Sequence, residues 1–326
     1  MANLEKCYSI APLRYKGADH ILVAAEKTDR CILFDVEGKE ETTVWNGPGG
    51  VMTMVQVPGT DGQFLATQKF YSPNDSKEAK IVIATPKGEE WEVRTLVELP
   101  FVHRFDIIES EGRYYLIACC LKSGHEFKDD WSVPGKVYGA LLPEDLSSYN
   151  DTHQLELAVI KDNMLKNHGY YRIERNGRMS SVICCDEGVF QFFPPTHETS
   201  RWKVKTLVQV PASDAVLVDF DGDGKDELLV FSPFHGDRVL IYRYKSGKYE
   251  LDYVYPEKLD FLHAIWSGVL QGRETVVVGH RKGERNLLRF FWKDGEYHAE
   301  VIDYNCGSAN VYGFHRENRD YIISAN

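Results

Sequence analysis

The runs that begin at Trp202, Tyr249 and Tyr297 are versions of one amphipathic segment, and they start 47 and 48 residues apart. Trp91-EVRTLVEL-Pro100 and Trp202-KVKTLVQV-Pro211 are nearly the same sequence and both close a repeat. Between such closures the chain reads as two short apolar runs joined by a Gly, Asn or Asp turn, followed by two more amphipathic runs. The second runs are ILVAA, FLATQ, YLIACC, SVICC, ELLVF, TVVVG and YIISA. These runs are too short, too β-branched and too regularly bounded by turns for helices. A period in the forties built from four short strands is the pattern of a β-propeller blade. Units begin near Tyr8, Val51, His103, His168, Ala215, His263 and Asn310. The expectation is one all-β propeller domain over residues 1–326, with seven blades, the last of two strands, and six as the alternative.

Three histidines share a frame within these repeats. His103, His168 and His263 each stand nine residues before a Gly-Arg pair, Gly112-Arg113, Gly177-Arg178 and Gly272-Arg273. Each is expected at the start of a first strand. In an antiparallel pair that start lies beside the end of the second strand. His280 ends such a second strand, while His125 and His235 follow just after theirs. The expectation is a histidine-rich funnel with His103, His168, His263 and His280 as its catalytic inner ring, and His125 and His235 as further metal ligands. The long connections 70–79 and 122–136 are placed at the same mouth, as binding loops on a rigid scaffold commonly are. Lys69, Arg104, Tyr170, Arg172, Trp266, Arg281 and Trp131 are the expected substrate contacts. For any single histidine the structural alternative is a bond to the backbone of the neighbouring blade.

A different signal lies in one repeat. Asp219-F-Asp221-G-Asp223-G-Lys225-D-Glu227 spaces acidic side chains at positions 1, 3, 5 and 9 of a glycine-containing loop. Three Asp, the Lys225 carbonyl and Glu227 form an oxygen set of the kind calcium takes. An EF-hand would place its glutamate at position 12 between helices, whereas here a strand follows at once. The segment 216–231 resembles the calcium loop of FG-GAP and VCBS propeller repeats, as in integrin α-subunits. That resemblance implies a bound calcium that staples the two inner strands. The bare alternative is an acidic turn without an ion.

Bulk properties narrow the partners. The formal net charge of −11 and the shortage of basic clusters oppose a nucleic-acid backbone. No apolar run approaches the length of a membrane-spanning helix. The first residues lack the apolar core of a secretory signal. Seven cysteines, an odd number with two adjacent pairs inside apolar runs, read as free thiols. Together these predict a reduced, cytoplasmic protein. Several neutral imidazoles facing one cavity can hold a divalent metal as a Lewis acid, and an unligated one can move protons at neutral pH. This equipment resembles, in architecture alone, propeller enzymes of the oligogalacturonate lyase type and the aldos-2-ulose dehydratase type. The resemblance implies β-elimination or isomerisation of a sugar acid or oligosaccharide. The competing expectation is a non-catalytic propeller that binds a protein or glycan.

Overall fold

The computed structural model describes residues 4–27 and 30–326, and every regular element among them is a β-strand. The chain divides into two compact units, one of residues up to 167 with 194–201, the other of 168–193 with 202–326. In the first unit, strands β1 (Cys7–Tyr15), β2 (Ala18–Ala25), β3 (Cys31–Asp35) and β4 (Glu40–Trp45) form one antiparallel sheet. The second sheet is β5 (Met54–Gln56), β6 (Phe64–Gln68), β7 (Lys80–Lys87) and β8 (Glu90–Glu98). The third is β9 (Val102–Ser110), β10 (Arg113–Lys122), β11 (Pro134–Leu141) and β12 (Ala158–Met164).

The second unit opens with β13 (Tyr170–Arg175), β14 (Arg178–Cys185), β15 (Gly188–Phe193) and β16 (Lys203–Val208). It continues with β17 (Asp214–Val218), β18 (Glu227–Ser232), β19 (Arg238–Lys245) and β20 (Lys248–Val254). A third sheet holds β21 (Leu262–Leu270), β22 (Arg273–His280), β23 (Leu287–Lys293) and β24 (Glu296–Asp303). The pair β25 (Asn310–Arg316) and β26 (Arg319–Ala325) stands as a two-stranded sheet. The fold is therefore an all-β propeller of six four-stranded blades, with strands in sequence order in each. Seven was the leading expectation and six its alternative. The count falls to six because, among the described residues, β25 and β26 pair with no third or fourth strand, and β1 belongs to a complete blade.

The run-and-turn pattern follows from where each strand sits. Strands β6, β14, β18 and β22 are buried along nearly their whole length, since a second strand has a neighbour on each edge and another blade against its faces. Outer strands such as β20 and β24 have no buried residue and carry the charge. In the second unit one apolar cluster runs from Val182 and Cys184 through Val216, Leu229, Phe231 and Ile241 to Val278 and Phe290. Cys119, Cys120, Cys184 and Cys185 are all buried and outside any disulfide, as small apolar residues.

The long period between His103 and His168 comes from the third blade. The segment 142–157 between β11 and β12 is tied down by Arg94, whose Nη1 donates to the carbonyls of Ser147 and Tyr149 at 2.6 and 2.8 Å. Its apolar side chains Leu142, Leu146 and Leu155 are buried.

This division of labour can be measured. Leu229→Ala, on a strand with no exposure, should cost about 2–5 kcal/mol. Leu251→Ala, on an outer strand and 53% exposed, should stay within about 0.5 kcal/mol of the parent. Urea unfolding midpoints of the two variants provide the comparison.

Candidate metal centre

The shared frame of the three histidines corresponds to a shared backbone device. Phe101, Lys166 and Phe261, each two residues before its histidine, have positive φ of 63°, 52° and 63°. The strand pairing then slips by one residue at Val102/Arg104 and at Leu262/Ala264, leaving His103 and His263 as the extra residues of β-bulges. A bulge re-aims its side chain out of the strand's alternation. His168 lies just ahead of β13, with its N–H on the Cys184 carbonyl at 3.1 Å. All three side chains are buried.

Within the second unit, His168, His235 and His263 come together, and one ring nitrogen of each lies within 4.8 Å of the others. The inner strands β13, β17, β21 and β25 adjoin in succession, which brings the two strand-start histidines side by side. Gly169 permits part of this approach. A Cβ there would lie 2.3 Å from the Ser213 carbonyl oxygen and 2.7 Å from the Asp214 Cα. With that closeness, Asp214 Oδ2 sits 3.0 Å from His168 Nδ1, and the Ser213 hydroxyl donates to the same carboxylate at 3.0 Å. His263 Nδ1 donates to the Ala309 carbonyl at 2.7 Å. A carbonyl only accepts, so the proton is on Nδ1 and the lone pair of the neutral ring is on Nε2. A carboxylate behind one imidazole and a carbonyl behind another are the outer partners that orient metal-binding histidines.

His235 arrives on the loop between β18 and β19, in a left-handed conformation with φ of 48°. Its ring is stacked between Phe234 and Phe261, with centroids 3.9 and 4.3 Å away. The Gly236 carbonyl accepts from Leu262 N at 2.9 Å, which fixes the loop to the start of β21. A non-glycine residue held at positive φ by such packing costs free energy, and such residues cluster at functional sites. Burial, the adjacent His168 and the cations Arg281 and Lys282 push the His235 imidazole down to about 2, so it is neutral at physiological pH. Its Nε2 is 3.4 Å from His168 Nε2. Two nitrogens on a tetrahedral zinc ion, with bonds of about 2.0–2.1 Å, stand about 3.3 Å apart. The donor set is three imidazole nitrogens, which suits zinc, copper, nickel or iron over calcium or magnesium.

The other expected site residues are distributed differently. His280 is on β22 of the same unit, but its Nε2 accepts from Asn286 N at 2.9 Å within its own turn, so it does not join the three. His103 and His125 are in the first unit. His103 packs against Phe70 with Tyr8 Oη 3.4 Å from its Nε2, and His125 stands edge-on to Phe101. Lys69 pairs with Glu78 at 2.9 Å, and Arg104 donates to the Met52 carbonyl at 2.8 Å. Trp131 covers the ammonium of Lys122, a buried lysine that also donates to Asn74 Oδ1 and the Asp130 carbonyl. Tyr170 shares a hydrogen bond with Ser181, and Arg172 is exposed. Trp266 occupies the room that Gly268 and Gly313 leave for its ring. Arg281 flanks the centre, with its guanidinium 5.9 Å from the Phe261 ring centroid, and Lys282 joins it at 5.1 Å. Sequence reading overlooked Asp214, Ser213 and the two phenylalanines. The repeated Phe101-Val102-His103 and Phe261-Leu262-His263 was the available signal.

In the acidic loop, the carboxylates of Asp219, Asp221 and Glu227 also lie within 4.8 Å of one another, a second group able to hold a cation. Asp223 stays outside it. Asp223 Oδ1 accepts from Lys225 N at 2.8 Å, and Lys225 Nζ is 3.7 Å from Asp223 Oδ2. Burial pushes Glu227 up to about 7, against the Phe220 N–H and Arg243, which both favour its ionised form.

Comparison with known proteins supports the fold and one repeat. Residues 211–251 match the FG-GAP repeat, the segment that carries the acidic loop. No curated protein matches the chain in sequence. Among solved structures, the one described as "Structure of Dos1 propeller" superposes with a TM-score of 0.56 at 9% identity, over 92% of this chain and 71% of that one. At that identity the likeness is one of fold, and 425 chains of known structure match in all, so it selects no activity.

The low value for His235 sets a pH dependence. An unfolded histidine binds its proton near pH 6.5, whereas the folded ring resists it until far lower pH. The unfolded state therefore takes up the extra proton as pH falls through about 6.5, and stability is lost on that side. Urea midpoints of the parent should drop between pH 7 and pH 5, and His235→Gln should flatten that slope. Equal slopes in the two proteins would contradict the assignment.

Proposed function

We propose that His168, His235 and His263 hold a divalent transition metal of the zinc type, and that the protein uses it on a small anionic substrate such as a sugar acid. The observation that carries this reading is the pairing of converging imidazole nitrogens with fixed outer acceptors, Asp214 behind His168 and the Ala309 carbonyl behind His263. Such a metal, when bound with an open position, polarises a carboxylate or carbonyl and so acidifies the carbon next to it.

The chain's own residues supply the rest of the setting. Asp214 holds the His168 ring in one orientation and favours its Nε2 as the ligand atom. Phe234 and Phe261 fix the plane of His235, and burial with the nearby cations keeps its charge state neutral. Arg281 and Lys282, beside Phe261, are the cations that would receive a carboxylate. Acidification of an α-carbon next to a bound carboxylate favours β-elimination or isomerisation, and a hydroxylated sugar acid is the substrate class with both a carboxylate and a leaving group. A reduced, cytoplasmic setting forms part of this proposal and agrees with seven free cysteines. The acidic net charge does not oppose it, because a local cationic pair governs attraction at the site.

Metal analysis is the first test. Protein purified without chelator should carry about one equivalent of zinc-type metal per chain, and alanine at His168, His235 or His263 should remove it. Asp214→Asn should weaken affinity about 10–100-fold, as outer-shell changes do, measured by competition with a chromophoric chelator. Incubation with uronate oligomers should then give an unsaturated product absorbing near 235 nm in a metal-dependent way. Metal binding without turnover on any sugar acid would favour the non-catalytic binding platform. No metal in the parent protein would end this proposal.

A further inference from the structure

The acidic loop between β17 and β18 already meets a cation, and the cation comes from the chain. Arg243 on β19 places Nη1 2.5 Å from Asp221 Oδ2 and 3.3 Å from Glu227 Oε1. Its Nε donates to Asp252 Oδ2 on β20 at 3.1 Å, and its Nη2 donates to the Tyr297 hydroxyl on β24 at 3.1 Å. The guanidinium also lies 5.2 Å from the ring centroid of Trp292 on β23. The Arg243 side chain is 18% exposed, and Glu227 is 1% exposed. This is a half-buried, multiply bonded arginine against two of the three carboxylates that a metal ion would be expected to share.

The remaining acceptors are engaged within the loop. Asp219 Oδ1 and Oδ2 accept from the N–H groups of Gly222 and Gly224 at 2.9 and 3.0 Å. Asp221 Oδ1 accepts from Asp223 N at 3.2 Å, and Glu227 Oε2 from Phe220 N at 3.0 Å. Calcium needs six to eight oxygens at about 2.3–2.6 Å. With a fixed positive charge on two of the carboxylates and backbone donors on the others, the donor set as arranged does not fit that demand. A guanidinium, unlike a metal ion, cannot leave, cannot lose its charge at physiological pH and forms planar paired bonds to carboxylates.

We infer that Arg243 is the resident cation of the 219–227 loop, taking the place of calcium in neutralising Asp221 and Glu227. The replacement adds something that an ion in the loop would not. Arg243 extends from its own blade to Tyr297 and Trp292 of the next, so one side chain closes the loop and couples two successive blades of the second unit. This role is separate from the histidine centre and from any activity there.

Calcium titration of the parent and of Arg243→Gln provides the test, by calorimetry and by thermal melting in excess calcium or excess EGTA. The parent should melt at the same temperature in both and bind no stoichiometric calcium. R243Q should melt lower than the parent in EGTA, recover in calcium, and bind calcium at least about tenfold more tightly than the parent, a change of about 1.4 kcal/mol. Adding Asp221→Asn to R243Q should abolish that gain and so place it in this loop. Stoichiometric calcium binding by the parent would overturn the inference, as would an R243Q protein that gains no affinity. If R243Q does not fold, the parent titration alone decides, since it needs no variant.

Discussion

Burial of each second strand on both faces is the constraint on which the rest of this protein depends. A strand flanked by two neighbours and covered by another blade has no surface left for charge, so its sequence becomes a continuous apolar run. Adjacent blades are held by these faces, and the apolar cluster of the second unit passes through three of them without a break. Polar chemistry is thereby displaced to strand ends and loops. That is where every residue of the histidine centre is found.

At those ends the backbone departs from regular geometry for a definable reason. A residue in the left-handed region, followed by a bulge or a strand start, turns a side chain out of the alternation that would otherwise bury it against a blade face. The same device appears at His103 and at His263, yet the outcomes differ. His263 meets the Ala309 carbonyl and the rings of His168 and His235, whereas His103 is enclosed by Tyr8 and Phe70. Local geometry aims the imidazole, and the neighbouring strand decides whether it becomes a ligand or a core residue. Asp214 makes the difference for His168, and its reach depends on a glycine that lets two backbones pass within a distance no Cβ would tolerate.

The two clusters of the second unit treat charge in opposite ways. In the histidine centre, burial, the adjacent His168 and flanking cations keep His235 neutral and leave its lone pair for a metal. Asp221, Glu227 and Asp252 around Arg243 have their charge answered by a side chain that stays in place. Burial strengthens both arrangements, because low polarizability raises the cost of an uncompensated charge.

The amino-acid order determined the strands, the blade period and the frame of three histidines, because these depend on local alternation, turn residues and spacing. The start of β9 was legible at His103, β17 at Ala215 and β21 at His263, each within a residue or two. It also marked the 219–227 loop by its acidic spacing. Tertiary structure decided which histidines share a centre, for it withdrew His280 into its own turn and brought in His235 from a loop. Asp214 and Arg243 were equally out of reach of the sequence. Each acts on residues that lie 46 and 22 positions away in the chain, and only the packing of one strand against the next sets those side chains within bonding distance.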